Sequence, residues 1–247
     1  VQKGTPVKDT RQYPYAVFVR FVRKNHTFDS CTGSLITSRH VLLTAYTASQ
    51  IDKGYVIAGA STPGKDSPKK QSRDIKTVNW YYKWNREPEY DIAVLEVDKP
   101  FLLDEFVNTI NILYDDSMYV QPGKAIDFLG YGKPRLETSD RLNAGHAIVI
   151  DQQECQTVAD TVCSYGGCRC RTGICRLDIM TSEFCAQGPS IPTTVDLGGP
   201  AVVPNRRLQI GVLSTIITGL EIFERVSPYC SFIEKTTGNA FKCLGNG

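Results

Sequence analysis

The chain has 247 residues, of which 41% are hydrophobic and 22% charged, and its formal net charge is +2. This length suits one large all-β domain or two small domains, and the hydrophobic share is that of a globular protein with a core. The small net charge gives no global field that would favour nucleic acid or a membrane surface as a partner. The sequence has no run of about 18 apolar residues, so it offers no candidate membrane span.

Short runs rich in Val, Ile, Leu and Tyr alternate with turn residues along the chain. Runs of this length and spacing predict the strands of an antiparallel barrel or sandwich. We expect the connection between two halves to lie in residues 101–124. The clearest predicted strands cover residues 15–22, 40–45, 91–97, 125–132, 146–150 and 209–217.

One helix is predicted near the end of the chain, over about residues 228–237. Ser227 is expected to cap it, and Pro228 suits a first turn. Apolar residues follow at helical spacing, and Gly238 is expected to stop the helix.

Cysteine usage predicts disulfides, because eight of the nine cysteines follow residue 150. Disulfides indicate an oxidising compartment, and the Asn25-His26-Thr27 sequon agrees with secretion. The first residues, VQKGTPVK, do not resemble a signal peptide, so numbering is expected to start after processing if the protein is secreted. The alternative for Cys163, Cys168, Cys170 and Cys175 is a metal site, although their spacing lacks the paired C-x2-C of common zinc sites. As disulfides, these four cysteines allow three pairings.

Six segments, in order, together resemble the trypsin-like serine protease family over almost the whole chain. They are Gly4 with Tyr13-Pro14-Tyr15, SCTGSLITSRHVLLTAYTAS (30–49), YDIAVLEVDKP (90–100), Gly130-Tyr131-Gly132, Phe184-Cys185-Ala186 and DLGGPAVV (196–203). The resemblance implies an all-β fold of two six-stranded antiparallel β-barrels with a C-terminal α-helix. In one trypsin-like domain, 1–247, the barrels are expected at about 15–105 and 120–226. No cofactor is implied.

The same segments depart from the family where catalysis takes place. The resemblance places the catalytic histidine at Tyr46, the aspartate at Asp91 and the nucleophilic serine at Leu197. The family mechanism needs a base that is partly neutral near pH 7, whereas a phenol keeps its proton there. A leucine side chain has no nucleophilic atom. Asp91 is expected to be a buried carboxylate that accepts a hydrogen bond from the Tyr46 hydroxyl.

The resemblance also implies that substrate-binding positions have changed. Val195 stands where the family has the oxyanion-hole glycine, and a β-branched residue resists the backbone geometry that glycine permits. Ile191 lies at the base of the specificity pocket, while Ile216 and Glu221 lie on its walls. We expect these three to block the pocket, with the alternative that Glu221 creates a cation site. Thr193 replaces a family cysteine.

The family pattern further implies specific covalent and ionic links. Cys155 and Cys185 match a bridge of the second barrel, and Cys31 is left as the odd cysteine. Cys230 on the last helix is expected to pair with Cys243. In the family, the amine of the mature N-terminus pairs with the aspartate before the nucleophile, here Val1 and Asp196. The alternative is an N-terminus free in solvent.

Loss of base, nucleophile, oxyanion glycine and pocket together most resembles the inactivated protease paralogues of the scabies mite. That resemblance implies a secreted, proteolytically inactive protein that acts by binding host proteins such as complement components. The alternatives are a weak or altered serine peptidase and a small-ligand carrier that uses the former cleft. Two basic clusters could meet an acidic protein or an anionic glycan, or could be solvated loops. They are Lys65, Lys69, Lys70, Arg73 and Lys76, and Arg169, Arg171 and Arg176.

Overall fold

The computed structural model describes residues 1–85, 89–132, 140–166, 177–217 and 219–245. A short strand, β1 (Thr5–Pro6), opens the chain. Six strands then form a closed antiparallel barrel in the order β2-β3-β4-β7-β6-β5. They are β2 (Ala16–Arg23), β3 (Phe28–Leu35), β4 (His40–Leu43), β5 (Ile51–Ala58), β6 (Gln71–Trp80) and β7 (Ala93–Val97). Helix α1 (Ala45–Gln50) follows β4 directly.

The second half of the chain forms another ring of six antiparallel strands. Their order is β9-β10-β13-β12-β11-β8, and pairing of β8 with β9 closes the ring, while β1 pairs with the first residues of β9. The strands are β8 (Ala125–Gly130), β9 (Asn143–Val149), β10 (Glu183–Gln187), β11 (Pro200–Val202), β12 (Gln209–Ile217) and β13 (Leu220–Arg225). The predicted fold class of two six-stranded barrels is therefore confirmed.

Two further helices belong to the second half of the chain. Helix α2 (Gln152–Ser164) joins β9 to β10, and helix α3 (Cys230–Thr236) follows β13 and packs Ile233 into the core of the first barrel. Of the described helices, none is both long and apolar enough to span a membrane. The predicted C-terminal helix is confirmed, and Gly238 follows its end with a φ of +60°.

The predicted capping role of Ser227 is wrong. Ser227 begins a 3₁₀ helix, Ser227–Tyr229, that precedes α3, and its hydroxyl donates to the Asp116 carboxylate at 2.8 Å. The hydroxyl therefore satisfies a buried acid instead of the first amides of the helix.

The two barrels share buried contacts. The connection at residues 101–124 pairs Asn111 with Leu208 and Leu113 with Leu244 in isolated bridges. Tyr131, at the end of β8, donates its hydroxyl to the Ala60 carbonyl at 3.0 Å and packs in the core of the first barrel. The seam between the barrels is thus part of the core, and the predicted site residues lie on segments around it.

Candidate active site

Tyr46 and Asp91 meet where α1 begins. The backbone N–H of Tyr46 donates to Asp91 Oδ1 at 2.7 Å, and the Ser214 hydroxyl donates to Asp91 Oδ2 at 2.7 Å. The expected hydrogen bond from the Tyr46 hydroxyl to Asp91 is wrong. The backbone N–H of Tyr46 contacts the carboxylate instead, and the residue is 42% exposed. Burial raises the pKa of Asp91 to about 7, although the hydrogen bonds from these donors act to lower it.

A second buried acid supports the Asp91 segment from β13. Glu224 Oε2 accepts the backbone N–H of Asp91 at 3.1 Å, and its Oε1 accepts the Tyr229 hydroxyl at 2.5 Å. Glu183 lies opposite Glu224 in the β10–β13 register, and its carboxylate accepts the Met180 amide at 2.8 Å. Burial raises the pKa of Glu224 to about 7 and that of Glu183 to about 8. Neither glutamate was among the residues that the sequence pointed to, although each lies beside an apolar run.

The Leu197 segment contains a 3₁₀ helix, Thr194–Asp196, followed by a tight turn. The backbone N–H of Leu197 donates to the Thr194 carbonyl at 3.4 Å, and the Leu197 carbonyl accepts the Thr32 amide at 3.2 Å. The Leu197 side chain packs against the core of the second barrel. Gly198 follows with a φ of +85°, and a Cβ there would lie 2.4 Å from the Thr32 carbonyl oxygen, so the turn needs glycine.

Val195 occupies the middle of this 3₁₀ helix and has a negative φ. Its carbonyl accepts the Thr32 hydroxyl at 2.9 Å, which ties the helix to β3. An oxyanion hole needs backbone N–H groups that converge on one point in the cleft. In this turn the N–H of Leu197 is directed to a carbonyl of its own segment.

The structure brings the Val1 amine and the Asp196 carboxylate into contact. They lie 2.9 Å apart, and both side chains are fully buried. The amine also donates to the Gly132 carbonyl at 3.0 Å. Asp196 accepts the amides of Gly132 and Thr193, each at 2.6 Å, and the Thr193 hydroxyl at 3.0 Å. Lys3 is exposed and adopts a φ of +56°. The buried Asp196 carboxylate therefore pairs with the N-terminal amine and not with the lysine.

The three expected pocket residues lie on two segments. Ile216 and Glu221 are direct partners in the β12–β13 register, whereas Ile191 exchanges two backbone hydrogen bonds with Gln2 and is 44% exposed. Glu221 is buried, and its Oε2 atom has no hydrogen-bond partner among the described residues. Burial raises its pKa to about 7.

The first basic cluster does not form one free cationic surface. Lys76 pairs with Glu96 at 2.8 Å, and Arg73 donates to the Pro100 carbonyl and stacks on Phe101. The other members, Lys65, Lys69 and Lys70, lie in the loop between β5 and β6. The second cluster, Arg169, Arg171 and Arg176, lies outside the described residues.

Asn25 lies at an exposed turn between β2 and β3. Its side-chain carbonyl accepts the hydroxyl of Thr27 at 2.6 Å. Asn25 therefore remains a candidate for glycosylation.

Two disulfides link Cys155 to Cys185 and Cys230 to Cys243. Cys31 is a buried free thiol. Cys163 is disulfide-bonded, while Cys168, Cys170 and Cys175 lie outside the described residues. No group of three or more His, Cys, Asp or Glu side chains in the described ranges could hold a metal ion.

Most of the chain is similar to one known family. The family model described as Trypsin matches residues 1–233. Coagulation factor IX of Oryctolagus cuniculus is 31% identical over 104 residues, which are 41% of this chain and only 36% of that protein. A solved structure described as HL collagenase has a TM-score of 0.81 and 19% identity, and covers 98% of this chain and 100% of its own. A structure described as GrC has a TM-score of 0.78 and 21% identity, covering 96% and 100%. The two-barrel fold, the order of its segments and the family match together show that this chain belongs to the trypsin family.

Proposed function

We propose that this trypsin-family chain does not hydrolyse peptide bonds and acts outside cells by binding other proteins. The observation that carries the proposal is Leu197 in the turn after Thr194–Asp196, where the resemblance places the nucleophilic serine. A leucine cannot form a covalent acyl intermediate. Tyr46 stands at the histidine position and offers a phenol in place of the imidazole that acts as general base in the family mechanism.

The surroundings of Leu197 support the same proposal. In active proteases, an oxyanion hole and substrate binding maintain residual catalysis when the triad is removed. Here the Leu197 amide donates to Thr194, and Val195 has replaced the family glycine. Loss of one oxyanion donor lowers rates by about 10²–10³. Asp91 remains buried with donors from Tyr46 and Ser214, which is a structural use for the carboxylate.

The proposed binding role rests on an intact scaffold. Loops held on a rigid barrel are suitable recognition surfaces, and the buried Val1–Asp196 pair anchors the segment beside the former catalytic turn. Lys65, Lys69 and Lys70 form a cationic loop that would favour acidic proteins or anionic glycans as partners. Complement components are proposed as partners from the resemblance to the mite paralogues alone.

The binding proposal is tested by capture from host plasma on immobilised protein. The control is active-site-inactivated trypsin, which has the same fold and differs in its surface. We expect complement components to be enriched on this chain over the control, and the purified component to bind in a saturable, salt-sensitive way. Equal capture by both proteins would contradict the proposal.

The cationic loop is tested in the same assay with purified components. The variant Lys65→Gln/Lys69→Gln/Lys70→Gln should weaken binding, whereas Lys8→Gln/Lys99→Gln/Lys124→Gln, which removes three exposed lysines elsewhere, should not. Equal losses in both variants would assign binding to net charge rather than to this loop.

A further inference from the structure

A pair of adjoining cavities lies on the second barrel and uses none of the residues at the former catalytic positions. The first has a volume of about 440 Å³ and the second about 550 Å³, and they share Tyr13, His146 and Asn205 as a common wall. Both volumes fall within the range of small-molecule sites. From this geometry we propose that the two cavities together bind a small carboxylate with an apolar body. The carboxylate lies against Arg207 and His146 in the first cavity, and the apolar body fills the second.

His146 is held in one orientation at the shared wall. It lies opposite Asp127 in the β8–β9 register, and its Nδ1 is 2.6 Å from Asp127 Oδ1. The Tyr13 hydroxyl lies 3.4 Å from the other oxygen of this carboxylate. When the ring carries both protons, its Nδ1–H donates to Asp127 and its Nε2–H is a second donor. The Nε2 atom has no hydrogen-bond partner among the described residues and is left for a ligand.

The first cavity is cationic. Arg206, Arg207 and His146 line it, and no Asp or Glu is part of its lining. Arg206 is already engaged by the Tyr119 hydroxyl at 2.9 Å. Arg207 is exposed, and its guanidinium has neither an ion pair nor a hydrogen-bond partner in the described parts of the chain. An Arg fork together with an imidazole N–H is suited to a carboxylate, which can accept from both.

The second cavity has a largely apolar lining. It includes Ile126, Ala147, Ile148, Pro189 and Pro204, beside Asp127. Ile148 is 46% exposed although it lies on a strand of the barrel. Asp127 would repel an anion in the second cavity, so the charged end of the ligand belongs in the first cavity. Neighbouring cationic and apolar cavities therefore match a ligand with one charged end and one hydrocarbon end.

The test is isothermal titration calorimetry of the full chain with octanoate, benzoate, acetate and inorganic phosphate. We expect saturable binding of octanoate or benzoate at least about tenfold tighter than that of acetate, because acetate cannot fill the apolar cavity. Octanoate and benzoate distinguish an aliphatic from an aromatic body. Absence of saturable binding by both, or binding of phosphate in preference to both, would overturn the proposal.

Variants locate the two ends of the ligand. Arg207→Gln should weaken binding about tenfold or more, since it removes a charge-assisted hydrogen bond. Arg39→Gln, at a half-buried arginine remote from both cavities whose side chain donates to the Asp98 backbone carbonyl, is the control and should leave binding unchanged. Ile148→Asp should weaken octanoate binding by a similar factor. Unfolding temperatures without ligand establish that each variant is folded, and undiminished binding by folded Arg207→Gln would overturn the proposal.

Discussion

Glu183 and Glu224 face each other across β10 and β13, and both carboxyl groups are buried. Glu224 also accepts the backbone N–H of Asp91, so this acidic pair supports the residue at the position that the resemblance gives to the triad aspartate. Burial is the largest cause of the raised pKa of each glutamate, and the negative charge of Glu224, followed by those of Asp91 and Glu89, adds to the effect at Glu183.

The protein is expected to lose stability as pH rises from about 5 to 9. The pKa of Glu183 is raised from an ordinary 4.5 to about 8, and that of Glu224 from 4.5 to about 7. The folded state therefore binds more protons than the unfolded state in this range, which makes the free energy of unfolding fall with increasing pH. Glu183→Gln should reduce this pH dependence and raise the free energy of unfolding at pH 8.5 by about 1–2 kcal/mol, near the usual size of a single-residue effect.

Urea unfolding at several pH values measures this dependence. Glu105→Gln, which removes an exposed carboxylate, is the control and should leave the pH dependence as it is. A stability that rises between pH 5 and 9 in the parent chain would contradict the assignment of two buried, protonated glutamates.

Asp196→Asn is expected to destabilise the protein by about 3–5 kcal/mol, because it leaves the buried Val1 ammonium without its counter-charge. The geometry behind this expectation is the 2.9 Å contact between two fully buried groups. Chemical denaturation of material that starts at Val1 measures the loss. Asp9→Asn, which changes a partly exposed carboxylate paired with Arg11, is the control. A loss for Asp196→Asn no larger than the control's would show that the ion pair has no structural role.

Cys31 should resist alkylation in the folded protein. Burial raises the pKa of its thiol, and the thiolate is the form that reacts. Treatment with iodoacetamide should leave Cys31 unlabelled under native conditions and label it in denaturant without reductant, as peptide mass spectrometry can establish. Labelling at equal rates in both conditions would contradict its burial.

Restoring two side chains should not restore an efficient protease. In Tyr46→His/Leu197→Ser, the amide at position 197 still belongs to the 3₁₀ turn and Val195 remains. We expect amide hydrolysis at least about 10² slower than that of an active relative, the effect of one lost oxyanion donor. Adding Val195→Gly should raise the rate, and trypsin-like rates in the double variant would contradict the structural account of this turn.

The sequence predicted the fold well where patterns are local. The run at 209–217 coincides with β12, because Val, Ile and Leu supply five of its nine residues. Helix α2 was missed because its buried residues are only Cys155, Ala159 and Cys163, which give a weak apolar period. The start of β7 was placed too early, since Asp91 precedes the strand as a buried acceptor.

The candidate site was predictable only in part. The resemblance identified Tyr46, Asp91 and Leu197 as the candidate positions. The type of residue does not determine where a backbone N–H points, so the bond from the Leu197 amide to the Thr194 carbonyl could not be predicted. Glu183 lies opposite Glu224 only because of the register of two strands that are distant in sequence. The cavity at His146 likewise depends on a turn between β11 and β12 that brings Arg207 to β9.

The proposed lack of peptidase activity in this trypsin-family chain is tested by active-site labelling of the parent protein. The protein is incubated with a fluorophosphonate probe, which reacts with activated serines, beside active trypsin and heat-denatured protein as controls. Hydrolysis of Arg, Lys and aromatic amide substrates is measured on the same samples. We predict no labelling above the denatured control and no turnover, because Leu197 stands where the resemblance places the nucleophilic serine. Specific labelling of a serine, with turnover that the probe abolishes, would contradict the claim.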